Sequence, residues 1–180
     1  MSTMNVLICQ QPKELVWKQR EIPIPGDNEA LIKIKSVGIC GTDIHAWGGN
    51  QPFFSYPRVL GHEICGEIVG LGKNIADLKN GQQVAVIPYV ACQQCPACKS
   101  GRTNCCEKIS VIGVHQDGGF SEYLSVPVAN ILPADGIDPQ AAALIEPFAI
   151  SAHAVRRAAI APGEQVLVVG AGGLGSPALL

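Results

Sequence analysis

Four cysteines at short, fixed spacing constrain this chain more than anything else in it: Cys92, Cys95, Cys98 and Cys106 form C-x2-C-x2-C-x7-C. Thiolates two residues apart in a tight turn converge on one ion, and four of them complete a tetrahedral shell with no place left for a substrate. The spacing therefore predicts a closed, structural zinc site. A 4Fe-4S cluster is the alternative that four thiolates also allow, and Cys105 beside Cys106 leaves two candidates for the fourth ligand. Unliganded cysteines fit poorly, because Gln93, Gln94, Lys99, Ser100 and Gly101 make the segment polar and loop-like, whereas inert cysteines sit in apolar surroundings.

Whether eight cysteines mean disulfides or metal depends on the compartment. The segment Met1 to Gln10 has no basic stretch followed by an apolar core and a small-residue cleavage site, so a reducing cytoplasm and metal ligation are expected. No apolar run reaches the roughly 18 residues that span a membrane. With 13 Lys+Arg against 15 Asp+Glu the net charge is -2, and no basic patch is gathered for phosphates, which argues against nucleic acid as a partner. Charged residues are only 16% of the chain and the mean hydropathy is +0.23, so some apolar surface is expected to be covered by further protein. A length of 180 residues suits one domain plus a fragment of another.

Glycine and proline punctuate the chain into short β-branched or alternating runs: Val6 to Ile8, Glu29 to Ile39, Ile64 to Val69, Val84 to Ile87 and Tyr123 to Val126. In Ile32-Lys33-Ile34-Lys35 the isoleucines share one face and the lysines the other, as in a strand covering a core on one side. The fold class expected up to about residue 130 is mainly β, a small antiparallel barrel or sandwich. Beyond it, Asp138-Pro139 offers a helix cap and first helical residue, and Gln140 to Ala159 is helical in character, with Pro147 breaking or kinking it. Gln165 to Val169 then reads as a buried strand leading into Gly170-Ala171-Gly172-Gly173-Leu174-Gly175 and a helix.

A second group of donors lies earlier. Cys40-Gly41-Thr42-Asp43-Ile44-His45 and Gly61-His62-Glu63 each set ligand types among glycines near strand ends. Adjacent His62 and Glu63 would face opposite sides of a regular strand, so only a bend at Gly61 or Gly66 brings both to one ion. Glu146 is the sole charge in Ala141 to Ile150. A carboxylate there needs a cation or strong donors, unless it simply ends a helix in solvent. Taken one at a time, His62 reads more readily as a hydrogen-bonded structural histidine and Cys40 as a core residue than either does as a ligand; together they suggest a metal site.

Taken in order, CGTDIH at 40–45, GHE at 61–63, the cysteine lobe and G-x-G-x-x-G at Gly170, Gly172 and Gly175 resemble the zinc-dependent medium-chain dehydrogenases, the alcohol, sorbitol and threonine dehydrogenase family. The resemblance implies a GroES-like β-barrel over residues 1–150, followed over 151–180 by a linking helix and the first strand and helix start of a truncated Rossmann domain. It implies two zinc ions per chain. The catalytic one is held by Cys40, His62 and Glu63, with Glu146 bound directly or through water, and Asp43 hydrogen-bonds and orients His62. Glu146 stands where alcohol dehydrogenases proper carry cysteine, which resembles the branch acting on sugar alcohols and sugar acids.

The activity so implied is oxidation of a secondary alcohol, with zinc polarising the hydroxyl while hydride leaves to NAD or NADP. Thr42 is placed to take the hydroxyl proton, and the resemblance implies that His45 passes it through the cofactor ribose to solvent, proton-transfer work that suits an imidazole. The full-length family members imply a homo-oligomer. The chain departs from the family at Gly173-Leu174, where proline and a β-branched residue are usual, and Leu180 falls inside the first helix. A βαβ unit needs roughly 30 residues, so this chain alone is expected to hold zinc but to bind nicotinamide cofactor negligibly. The alternative from another class is a zinc-bearing β-module without chemistry. Trp47, Phe53, Phe54 and Phe120 either line a substrate pocket or pack the core.

Overall fold

The structure is a computed structural model that describes residues 2–179, so Met1 and Leu180 lie outside it. Among the described residues ten strands are formed: β1 Thr3–Gln11, β2 Glu14–Glu21, β3 Glu29–Gly38, β4 Arg58–Val59, β5 Glu63–Leu71, β6 Gln83–Val86, β7 Tyr89–Val90, β8 Ser110–Val111, β9 Tyr123–Pro127 and β10 Ile131–Pro133. Four α-helices accompany them: α1 Gly41–Gly48, α2 Pro96–Lys99, α3 Pro139–Ala143 and α4 Ile145–Ala158. The strands make antiparallel sheets in the orders β2-β1-β4, β10-β6-β5-β3-β9 and β7-β8.

Strand β3 shows why the central sheet forms. Ala30 and Ile32 are fully buried while Lys33 and Lys35 face solvent, so alternation fixes its register against β5 and β9. Ile32, Ile64, Ile68, Val84, Val126 and Ile112 close the core over this face, each burial contributing about 1.5–3 kcal/mol of hydrophobic transfer. A second core, Met4, Val6, Ile8 and Val59, lies under β1. Phe120 packs against it and its carbonyl accepts from the Leu7 N–H at 2.8 Å, while a bridge from Val6 to Ser121 joins the two larger sheets. They are joined by these contacts; among the described residues no ladder closes them into a barrel.

The helical stretch starts as expected, with Asp138 Oδ1 accepting from the Gln140 N–H at 2.9 Å and Pro139 in the first turn of α3. The break comes at Leu144, three residues before Pro147. A proline ring collides with the carbonyl four residues back, here that of Ala143, which is where α3 ends. Pro147 itself sits in the first turn of α4, where its missing N–H costs nothing.

The strand expected over Gln165–Val169 does not form. No neighbouring strand among the described residues offers a ladder, and Leu167 and Val169 are 85% and 89% exposed. Beyond it the chain turns at Gly170, whose φ of 95° only glycine adopts readily, and Pro177–Leu179 form a single 3-10 turn where an α-helix start was expected. The turn is tied back to α4 by Ser151 Oγ donating to the Leu174 carbonyl at 2.7 Å.

Candidate metal centres

The cysteine lobe follows β7 directly. Cys95 caps α2 with Pro96 in its first turn, and Cys98 returns on the same short helix. The sulfurs of Cys92, Cys95, Cys98 and Cys106 all lie within 4.8 Å of one another, with Cys92 Sγ and Cys98 Sγ 4.0 Å apart. Tetrahedral Zn–S bonds of about 2.3 Å separate sulfurs by about 3.8 Å, so the lobe is already close to the shape of the bound state. Cys106 Sγ accepts from the N–H groups of Cys92 and Lys108, each at 3.3 Å, whereas Cys105 is exposed and outside the group. Backbone N–H groups, first that of Gln94 and then that of Cys95, pull the Cys92 thiol down to about 6, and the Cys98 N–H lowers Cys95. Burial pushes Cys98 up to about 12. Both shifts favour the thiolate, the form that ligates metal.

The second centre is assembled at strand ends. Strand β3 stops at Gly38, and Cys40 then caps α1 with its backbone extended. On the neighbouring strand, Gly61 turns with φ of 90° just before β5 begins at Glu63. His62 therefore lies outside the strand, strand alternation does not apply, and His62 and Glu63 both reach Cys40. The ligand atoms of Cys40, His62 and Glu63 lie within 4.8 Å of one another. The bend is made at Gly61; Gly66 is needed for another reason, the close approach of Ile32 and Lys33 across the β3–β5 irregularity.

Asp43 differs from expectation. Its Oδ1 stands 3.8 Å from His62 Nδ1, too far for a hydrogen bond. Its oxygens instead accept from the Cys40 N–H and the Gly61 N–H, both at 2.9 Å. Buried at 2% exposure, it ties together the two backbones that carry the ligands. His62 Nδ1 is left buried without a hydrogen-bond partner. Burial lowers the His62 pKa, but the hydrogen bond to Cys40 and the charges of Asp43 and Glu146 outweigh it and the net direction is up. Burial pushes the Glu63 carboxyl up, His62 opposes this, and Glu146 adds to it. A thiol, an imidazole whose Nδ1 has no partner and a crowded carboxylate, converging with no fourth protein donor in the group among the described residues, match the donor set of an open zinc site, so the residues present fit the metal.

Glu146, in the first turn of α4, is 9% exposed and falls outside the three-residue group. Tyr89 Oη donates to Glu146 Oε1 at 2.5 Å. Burial, then this hydrogen bond, pushes the phenol pKa upward. A lone tyrosine in a strand reads as packing, and no spacing signal links it to a residue 57 positions away, so sequence reasoning passed over it. Thr42 and His45 sit with Asp43 on α1, Thr42 half-buried and His45 exposed.

Of the aromatic candidates, Phe54 packs beside Cys9, Ala46 and Leu60, and Phe53 is 71% exposed. Trp47 and Phe120 line, with Ile39, Ile44 and Asp43, an apolar cavity of about 500 Å³ beside the open centre. Gly170, Gly172 and Gly175 lie in the turn after the unpaired 165–169 segment.

The Alcohol dehydrogenase GroES-like domain family matches residues 26–136. The chain is 97% identical to the L-galactonate-5-dehydrogenase of Escherichia coli (strain K12), over 99% of this chain and 53% of that protein. Its fold superposes with a TM-score of 0.92 on the short chain alcohol dehydrogenase (rspB) of E. coli CFT073 complexed with NADH, at 39% identity over 98% of this chain and 52% of that one. The cobalt- and zinc-bound thermostable alcohol dehydrogenase of Pyrobaculum aerophilum gives a TM-score of 0.90 at 31% identity, over 99% of this chain and 56% of that one. The chain thus spans about half the length of the relatives it matches.

Proposed function

The chain belongs to the zinc-type alcohol dehydrogenases through its GroES-like domain, and from that premise we propose that it carries the metal and substrate site of a dehydrogenase oxidising a secondary alcohol of a polyol or sugar acid. The observation that carries this reading is the convergence of Cys40, His62 and Glu63 within 4.8 Å, with no fourth protein donor in the group. The identity with a galactonate dehydrogenase supports a sugar acid, and the NADH-bound relative supports a nicotinamide cofactor. Residues 1–150 form the zinc domain in this reading. Residues 151–180 link it to a nucleotide-binding domain in which Gly170, Gly172 and Gly175 would face the pyrophosphate.

Zinc held by Cys40, His62 and Glu63 would supply Lewis acidity, making a coordinated hydroxyl easier to deprotonate near neutral pH. The chain's own residues do the rest. Thr42, half-buried on α1 next to the Cys40 cap, accepts the hydroxyl proton, and His45, exposed on the same helix, passes it to solvent. A nicotinamide bound beside the carbinol carbon would supply the hydride acceptor, so that the alcohol would become a ketone with one proton released. Asp43 keeps the Cys40 and Gly61 backbones in register so the ligands stay converged. The cysteine lobe, whose four sulfurs of Cys92, Cys95, Cys98 and Cys106 would close the shell of a structural zinc, would take no part in the chemistry.

Metal analysis before and after brief chelation tests this. Two zinc ions per chain are expected, one of them labile because open sites exchange faster than closed ones, and His62→Ala should remove only the labile one. A single inert ion would favour a zinc-bearing β-module without chemistry. Eight free cysteines suit a reducing cytoplasm, and no helix among the described residues is long and apolar enough to cross a membrane. The exposed apolar side chains of α4, Phe148, Ile150 and Val155, suit cover by further protein, as in a homo-oligomer of the longer enzyme.

A further inference from the structure

Glu146 is buried within range of the charges of His62 and Glu63, and the Tyr89 phenol makes the one hydrogen bond to its carboxylate among the described residues. A second carboxylate beside an open metal centre is a potential competitor for the fourth position, since its attraction to the cation is stronger than that of a neutral hydroxyl. Yet its oxygens do not join the Cys40, His62 and Glu63 group.

What keeps it back is built into the backbone. Tyr89 pairs with Val111 in the β7–β8 ladder, the Ile112 N–H donates to the Pro88 carbonyl at 2.9 Å, and the buried Asn130 amide donates to the carbonyls of Ile87 at 2.7 Å and Tyr89 at 3.1 Å. Strand β7 is thus gripped from both sides. The phenol reaches across a cavity of about 630 Å³ between β6–β7, the cysteine lobe and α4, which both Tyr89 and Glu146 line.

We propose that Tyr89 is a positioning residue that holds Glu146 outside the Cys40, His62 and Glu63 cluster and so keeps the fourth metal position open to a substrate hydroxyl. The proposal rests on the reading of that cluster as a metal site. It assigns Glu146 to water-mediated rather than direct contact, by way of a tyrosine 57 residues earlier in the chain.

The test uses the whole chain loaded with cobalt(II) and titrated with azide, which enters only a site with an exchangeable position. The wild-type chain should show an azide-dependent change in its d–d absorption. In Tyr89→Phe the released carboxylate should occupy the fourth place, shifting the resting spectrum and weakening azide by about tenfold, the scale on which outer partners tune metal sites. In a Glu146→Gln background, which removes the competing charge, Tyr89→Phe should change neither. Equal azide affinity and spectra for wild type and Tyr89→Phe would overturn the proposal while leaving the metal site standing. One cobalt ion per chain with no azide response in the wild type would instead overturn the metal-site reading, and the proposal with it. A Tyr89→Phe effect that persists in the Glu146→Gln background would also defeat it, because the tyrosine would then act through something other than Glu146.

Discussion

Gly38 stands opposite Glu63 in the β3–β5 ladder, and a Cβ added to Gly38 would lie 1.9 Å from Glu63 Oε2. The carboxylate occupies the space that any other residue's side chain would fill. The clash falls on the far end of a side chain, so the ladder can survive it, but only if Glu63 swings away from Cys40 and His62.

Gly38→Ala should therefore fold and yet lose metal selectively. The expected result is a 10- to 100-fold weaker labile zinc, the range found when the support of a metal ligand is disturbed, with the cysteine lobe fully loaded. Chelator competition read at both sites checks this; equal affinity for the labile ion would show that Glu63 is not a ligand.

Asp43 accepts from the backbone N–H groups of Cys40 and Gly61, the second of them eighteen residues away in sequence, and is almost wholly buried. Asp43→Asn keeps one acceptor but turns an amide donor towards either the Cys40 or the Gly61 N–H. A charge-assisted hydrogen bond is worth about 1.5–3 kcal/mol, so a loss of that order in urea unfolding is expected, together with weaker labile zinc. An unchanged unfolding midpoint would contradict the role given to the carboxylate.

How far the sequence announced all this depended on the range of the interaction. The cysteine lobe was legible because its ligands are local, and Cys106 rather than Cys105 became clear only from where the sulfurs point. Strands with β-branched, one-sided patterns such as β3 were legible too. Strand β2 was not, because Glu14–Glu21 is polar and mostly exposed and is held by pairing with β1 at an edge. Helix α1 escaped because its eight residues read as a ligand motif among glycines. Val166 to Val169 misled for the opposite reason: its apolar run has strand propensity, but no strand among the described residues pairs with it to make a ladder. Tyr89 and Glu146 meet only through tertiary packing, for which a single sequence carries no local signal.

Removing the lobe metal should expose an ordered reactivity among the cysteines. Cys92, held down to about 6, is chiefly thiolate at pH 7 and should alkylate first with iodoacetamide once zinc is stripped. Cys9 and Cys65 are fully buried and pushed up by that burial, so they should stay unmodified until the chain unfolds. Zinc should protect Cys92, Cys95, Cys98 and Cys106 together but not Cys105. Peptide mapping by mass spectrometry decides it, and Cys106→Ser, but not Cys105→Ser, should abolish the inert zinc.

The glycine turn yields the last expectation. A pyrophosphate is cradled when a glycine-rich loop joins a paired strand to the N-terminus of a helix, so that several N–H groups converge. Here the segment before Gly170 has no ladder, Gly170 to Gly175 form an exposed turn, and only a single 3-10 turn follows. The Ser176 N–H is already spent on the Gly172 carbonyl at 3.0 Å. With neither a rigid strand nor a helix dipole behind the turn, this 180-residue chain should show no saturable NADH binding up to millimolar concentration, by fluorescence or calorimetry, even with both zinc ions in place. Saturable binding at micromolar NADH would mean that the turn rearranges into a cradle on contact with the cofactor, and the 165–169 segment would then be expected to gain protection from hydrogen exchange.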